Sequence, residues 1–183
     1  MKDVIISKYN PDWISYFALL QDFIWPHISD VSLSLEHIGS TSVPGLPAKP
    51  IIDMTIVTSN KENLNIIIQR LSSIGALHKG NLGIEGREAF SQLKGFPDHN
   101  IYACIVGSQA LENHLAIRNV LRANAKLAKE YGELKLKLVK QHCQDIESYV
   151  EGKSQFLLSI LKDQGFTLGE LEEIQNNNRK KKA

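Results

Sequence analysis

Residues 37–57 concentrate the side chains of this sequence that could do chemistry. Gly39, Ser40, Thr41 and Ser42 follow one another after an apolar, strand-like run at 33–38. They offer backbone N–H groups and three hydroxyls with little bulk in front of them. Such a turn suits an anion, because successive N–H donors form a nest and a helical turn starting there adds its positive end. Lys49 is the only charge in the loop that follows, which passes through Pro44, Pro47 and Pro50. The loop ends in a β-branched run, 51–57, that reads as a buried strand carrying one acid, Asp53. A carboxylate among branched aliphatics is costly unless paired or coordinated. Hydroxyls, a lysine and a strand-borne aspartate together point to phosphate and to a metal ion on Asp53. The same residue types also build ordinary turns, and prolines spaced by three also fit an extended surface loop or a polyproline II ligand.

Four more residues join the candidates. Arg87 opens a strand after a glycine, where its fork could grip a phosphate from the end of the sheet. His99 stands at the mouth of the next strand. It could replace a metal-binding carboxylate, act as a general base, or hydrogen-bond its own turn. Arg118 and Arg122 are spaced i, i+4, which places both guanidinium groups on one side of a helix. They read as an anion clamp beside the sheet or as a solvated face.

The elements that must position these residues follow from periodicity. Apolar positions at Trp13, Phe17, Leu20 and Ile24 predict a helix that starts at an Asp12 cap and runs to about residues 25–26. The two tryptophans read as core. A second amphipathic helix spans 60–74, with Leu64, Ile67, Ile68 and Leu71 inward and Gly75 as its stop. Residues 76–86 suggest a strand and a mobile turn, and 86–93 and 100–106 two further strands. With the strands ending near 38 and 57 they make a mixed sheet of four or five members. From 109 onward the pattern is helical: 113–124, 125–142, 148–162 and a last short helix at 168–174. Lys135 and Lys153 are candidates to turn inward, unlike most lysines of that region. The polar, basic stretch 176–183 reads as a disordered tail.

Composition bounds the rest. At 183 residues and 43% hydrophobic content, the chain can bury one good core or a small α/β body with a helical appendage. A formal net charge of +1 gives no general attraction to nucleic acid or to anionic membranes. No apolar run is long enough to span a bilayer and no signal-peptide pattern opens the sequence. Cys104 and Cys143, without close spacing, read as free thiols of a reducing cytoplasm.

The run 36–46, Glu-His-Ile-Gly-Ser-Thr-Ser-Val-Pro-Gly-Leu, with Ala-Lys-Pro-Ile-Ile-Asp at 48–53, resembles the signature of the GrpB family. The similarity continues through 86–90, 99–104 and 114–122, then Tyr131 with Lys135, and Tyr149 with Lys153 and Phe156. It covers residues 4–161. The resemblance implies an α+β fold of the nucleotidyltransferase type, a mixed sheet with flanking helices and a helical C-terminal segment. The family also occurs fused to dephospho-CoA kinases. On that basis residues 1–108 are expected to form the core and 109–175 a helical segment packed across its site.

The superfamily pattern is Gly-Ser after an apolar residue, then acid, apolar, acid on the next strand. Here Thr55 stands where the second acid belongs. Two metal ions need several carboxylates, since each cation must be neutralised within an oxygen shell. The expected function is binding of a nucleotide or phosphorylated metabolite, with nucleotidyl transfer to an acceptor hydroxyl as the implied activity. In that scheme Ser40 and its neighbours hold phosphates. Asp53 binds Mg²⁺ weakly, and Lys49, Arg87 and Arg118 neutralise charge. The alternative is a catalytically silent phosphate-binding module that has lost its second metal ligand.

Overall fold

The computed structural model describes residues 5–141 and 145–180. In chain order the elements are α1 (Asp12–Ile28), β1 (Ser34–Ile38), β2 (Ile52–Thr58), α2 (Lys61–Ser73), β3 (Arg87–Phe90), β4 (His99–Ile105), α3 (Gln109–Ala123), α4 (Ala125–Gln141), α5 (Ile146–Asp163) and α6 (Leu168–Lys180). The strands form one mixed sheet in the order β1-β2-β4-β3. β1 is antiparallel to β2, β2 parallel to β4, and β3 antiparallel to β4. A parallel pair needs a long crossover, and α2 supplies its helical part.

Local chemistry sets these boundaries. The Asn60 side chain accepts the Asn63 N–H and caps α2, and Gly75 at φ +98° ends it. α1 begins at Asp12 behind Pro11, with Asn10 Oδ1 accepting the Asp12 N–H, so Asp12 is the first helical residue and not the cap. The helix also runs through Pro26 to Ile28. Ile24 and Ile28 are fully buried and hold its last turn to the core, so the one N–H that proline removes does not end it. Residues 76–86 add no strand beyond the His78–Phe90 bridge, although Leu77 and Lys79 lie in backbone hydrogen bonds along β3.

The C-terminal stretch also differs from the expectation. α6 continues to Lys180, because Leu171 and Ile174 pack on Leu161 and the polar residues after them ride on that anchored helix. Residues 181–183 lie outside the described residues, and so does Cys143. Cys104 is fully buried, with its thiol pushed up to about 11 by burial; Thr55 Oγ1 donates to its Sγ.

Register sorts the strand residues between two faces. Leu35, Ile52, Met54, Ile56, Ile101, Ala103 and Phe90 face α1 and α2, where Trp13, Leu20, Ile24, Ile67 and Leu71 complete the main core. The other face carries Ile38 opposite Asp53, Asp53 opposite Asn100, and Arg87 opposite Cys104. α3 covers one end of it through Ala110 and Leu111, which pack on Val57 and Cys104. The Asp53 end is overhung by α4 and α5.

His99 belongs to the first face, beside Ile52 and one residue out of phase with Asn100. It is fully buried, and both ring nitrogens are engaged in the turn before β4. Nε2 accepts the Leu93 N–H at 2.9 Å, which leaves Nδ1 to donate to the Pro97 carbonyl at 2.6 Å. The expectation of a catalytic His99 is therefore corrected: it staples a turn on the far side of the sheet. The proline loop is seated on the protein by its apolar residues, although Pro44 and Pro50 are exposed. Val43, Leu46 and Ala48 are buried, and Val43 and Leu46 pack against Leu121, Ala128, Tyr131 and Ile160.

Two outcomes follow for stability. His99→Leu orphans the buried Leu93 N–H and frees the part-buried Pro97 carbonyl, and is expected to cost about 1–3 kcal/mol in chemical denaturation. His37 is held neutral down to about pH 4 by burial, with Arg122 and Arg118 adding to it. The unfolded chain takes up that proton near its ordinary value of 6.5. Stability is therefore expected to fall as pH drops from 6.5 toward 4, where the unfolded state binds more protons.

Candidate functional site

Where Gly39 leaves β1, the backbone adopts φ +68° and ψ −171°, a region open to glycine. A Cβ there would collide with the Asp53 carboxylate, so the missing side chain is what lets the turn and the acid touch. Ser40, Thr41 and Ser42 then make one 3₁₀ turn. Its own hydrogen bonds use the N–H groups of Ser42 and Val43, which donate to Gly39 and Ser40. The expected run of free amides is thereby shortened.

Beside this turn lies a cleft of two lobes, each of about 270 Å³, that share Ser40, Asp53, Tyr131 and Lys153. The first lobe is polar and adds Lys49, Asn100, Lys135 and Tyr149. The second is more apolar and is walled by Ile38, Ile117, Leu121 and Leu157, with Arg87 and Tyr102 at one side. Asn100 Nδ2 donates to Asp53 Oδ1 at 2.7 Å and orients the carboxylate.

The cleft gathers Gly39, Ser40, Thr41, Lys49, Asp53 and Arg87 from the residues expected to form the site. Thr41 borders the polar lobe, but its hydroxyl donates to the Ile51 carbonyl and meets His37 Nε2 at 3.1 Å, so it braces the turn. Arg87, only 2% exposed, lies over the Tyr102 ring at 4.6 Å from its centroid, and its buried Nε has no hydrogen-bond partner.

Besides His99, three expected residues go elsewhere. Ser42 Oγ donates to the Gly39 carbonyl, and its side chain faces a groove along the outer edge of β1. Arg118 reaches Glu36 at 2.6 Å and the His37 carbonyl at 3.3 Å, and Arg122 Nε donates to the Ser42 carbonyl at 2.8 Å. Both arginines line that groove and not the cleft. The reason is helical phase: His114, Ile117 and Leu121 take the side of α3 toward the cleft, and Arg118 and Arg122 lie one residue, about 100°, further round.

The residues missed as site members are the lysines of the helical segment. Lys135 belongs to the buried stripe of α4 with Ala128, Tyr131, Gly132 and Leu138, and is 2% exposed. Its Nζ donates to Ser40 Oγ at 3.0 Å and to the Pro47 carbonyl, and stands 4.6 Å from the Tyr131 ring centroid. Those partners are neutral. Burial, with Lys153 acting in the same direction, lowers the amine to about 7. Lys153 and Lys49, both half-buried, flank the Tyr149 ring at 5.5 and 5.4 Å. Burial pulls each below its ordinary value while Asp53 pushes back. Gly132 makes the approach possible, since a Cβ on it would stand 2.9 Å from Pro47 Cδ. A signal was present in the sequence: Tyr-x-x-x-Lys occurs at 131–135 and again at 149–153, at helical i, i+4 spacing.

Comparison with known proteins gives the family and the fold. The family described as GrpB protein matches residues 3–163. The UPF0157 protein YqkA of Bacillus subtilis is 34% identical over 156 residues, which are 85% of this chain but 46% of that protein. The glutamate-rich protein GrpB of Alkalihalophilus pseudofirmus is 29% identical over 170 residues, 88% of this chain and 95% of that one. The crystal structure of the conserved protein GrpB from Enterococcus faecalis superposes with a TM-score of 0.77 at 31% identity, covering 93% of this chain and 99% of that chain. Cid1 in complex with the UTP analogue UMPNPP superposes at 0.54 with 14% identity, over 84% of this chain and 49% of Cid1. The non-canonical poly(A) polymerase complex GLD-2–GLD-3 gives 0.54 at 14% identity, over 83% of this chain and 53% of that chain. At such identity the polymerases share the fold alone, which is nucleotidyltransferase-like. Matched along 161 consecutive residues, from 3 to 163, this chain belongs to the GrpB family.

Proposed function

We propose that the chain binds a nucleotide or a similar phosphorylated small molecule, with phosphate in the lysine lobe and the organic part in the lobe walled by Tyr102 and Leu157. The observation that carries this reading is Lys135. An ammonium buried to 2% exposure against neutral partners, beside two more lysines and one acid, is an arrangement that an anion stabilises. Each charged hydrogen bond to such an anion contributes about 1.5–3 kcal/mol. The second lobe favours a ligand with an apolar or flat portion over inorganic phosphate, because Ile117, Leu121, Leu157 and the Tyr102 ring give it surface to bury.

Nucleotidyl transfer is the further activity, supported by the likeness to Cid1 and GLD-2 and by Asp53 at the junction of the lobes. In that scheme an acceptor hydroxyl attacks the α-phosphorus and pyrophosphate leaves. The protein would contribute position and charge.

Calorimetry with ATP, GTP, CTP and UTP tests the binding, with a pyrophosphate-release assay run beside it. Binding without release fits the silent module; release that Asp53→Asn abolishes fits the transferase. Gly39→Ala places a Cβ into the Asp53 carboxylate and is expected to destabilise the fold by about 1–3 kcal/mol while weakening nucleotide binding. Lys135→Met keeps the side-chain length without the charge. It is expected to leave the stability of the free protein within about 2 kcal/mol while abolishing thermal protection by nucleotide.

The lysine also sets a pH dependence. The amine must be charged to hold the anion, yet it is mostly neutral above about pH 7 in the free protein. Affinity is therefore expected to fall between pH 7.5 and 9, by about tenfold per unit at the limit. Over the same range the free protein is expected to gain stability, because the unfolded chain retains the proton that the folded amine has released.

A further inference from the structure

Nucleotidyltransferase folds imply Mg²⁺, and the residues of this cleft can be tested against that ion. Mg²⁺ takes near-octahedral oxygen ligands and is bound through carboxylates together with substrate phosphates. Among the described residues the polar lobe presents a single carboxylate, Asp53, whose Oδ1 accepts from Asn100 and whose Oδ2 packs against Gly39. Thr55, two residues on along the same face, is fully buried and donates to Cys104 Sγ. The acids that could restore a second ligand point elsewhere. Glu36 lies across from Thr55 but is held by Arg118 at 2.6 Å. Glu88 pairs with His78 at 2.7 Å, and Glu85 lines a separate cavity beside α6. Among the described residues no group of three or more His, Cys, Asp or Glu side chains is arranged to hold a metal ion. The same lobe contains three ammonium groups, Lys49, Lys135 and Lys153, against that one carboxylate. A dication placed there meets like charge from Lys49 and Lys153 and, wherever its amine holds a proton, from Lys135. The donor set does not fit Mg²⁺.

We infer that this cleft takes its phosphoanion in the unchelated form, with the three lysine ammonium groups supplying the positive charge that a divalent cation supplies elsewhere. The inference rests on the proposed phosphoanion site and adds the ionic state of its ligand. A free triphosphate carries two more negative charges than its Mg²⁺ complex, and a site with excess positive charge favours the more negative species. Ser40 Oγ, Tyr131 and Tyr149 pin the lysines in place, so little ordering remains when the anion arrives. Asp53 has a different part here from that of a metal ligand. Among the described residues it is the one carboxylate lining the polar lobe, and it opposes the lowering that burial imposes on Lys49 and Lys153.

The probe is inorganic tripolyphosphate, titrated calorimetrically into the full chain near pH 7 in excess EDTA and again in excess MgCl₂. The expected result is binding in EDTA at least as tight as in Mg²⁺. Lys153→Gln, at a half-buried position, is expected to weaken the EDTA titration by about tenfold or more. Asp53→Asn gives a test of sign. A lysine-held anion binds equally or more tightly once the facing carboxylate is neutral, whereas a metal-held one loses its anchor. Binding that requires Mg²⁺, or that Asp53→Asn destroys in a protein with unchanged circular dichroism, overturns the inference and leaves the phosphoanion site standing. No binding in either buffer removes the site and the inference together.

Discussion

The contact between Lys135 and the loop after β1 is the interaction on which the rest of the cleft depends. One side chain from α4 reaches Ser40 Oγ and the Pro47 carbonyl, and so ties the helical segment to the turn that begins at Gly39. It can do so because Gly132, one turn earlier, lets the helix backbone come against Pro47. The arrangement carries an electrostatic cost. A lysine buried among a hydroxyl, a carbonyl and aromatic rings has given up water without gaining a countercharge. Proteins keep such groups where a ligand completes them.

The sheet supplies the second constraint. Alternation along β2 and β4 sends Ile52, Met54, Ile101 and His99 to one side and Asp53, Asn100 and Tyr102 to the other. The first set lies beneath α1 and α2 as core. The second is left at the margin of α3, where α4 and α5 turn open space into a cleft with walls. A single-residue slip between β2 and β4 would exchange the two sets and bury Asp53 in the core.

Much of this was legible in the sequence. Helical periods placed α1, α2 and the three long C-terminal helices to within a few residues. The small residues after β1 and the acid of β2 marked the turn and strand that meet in the cleft. Single-residue orientation was harder to read. The i, i+4 spacing of Arg118 and Arg122 showed that they share a side of a helix, but which side faces the sheet depends on how Ala110 and Leu111 seat against Val57 and Cys104. The position of His99 at a strand start was equally silent, since one residue of phase decides whether a side chain meets Asp53 or Ile52. Lys135 was legible as a lysine that could turn inward, but not as a member of the site. Lysines on amphipathic helices usually sit in water, and its place in step with Ala128, Tyr131 and Leu138 marks it as inward.

The two arginines that fail to reach the cleft serve the sheet in another way. β1 is an edge strand, and edge strands with open backbone groups are templates for pairing with another chain. Arg118 donates to the outward His37 carbonyl and, with Glu36 and Arg122, lays charge along that margin. At the opposite margin β3 is only four residues long, and the backbone of Leu77, Lys79 and Gly80 is hydrogen-bonded along it. Both borders of the sheet are thus stoppered, one by guanidinium groups and one by main chain. A foreign strand finds no ready ladder to extend, so the fold is guarded against edge-to-edge aggregation by the residues that its sequence first offered as phosphate ligands.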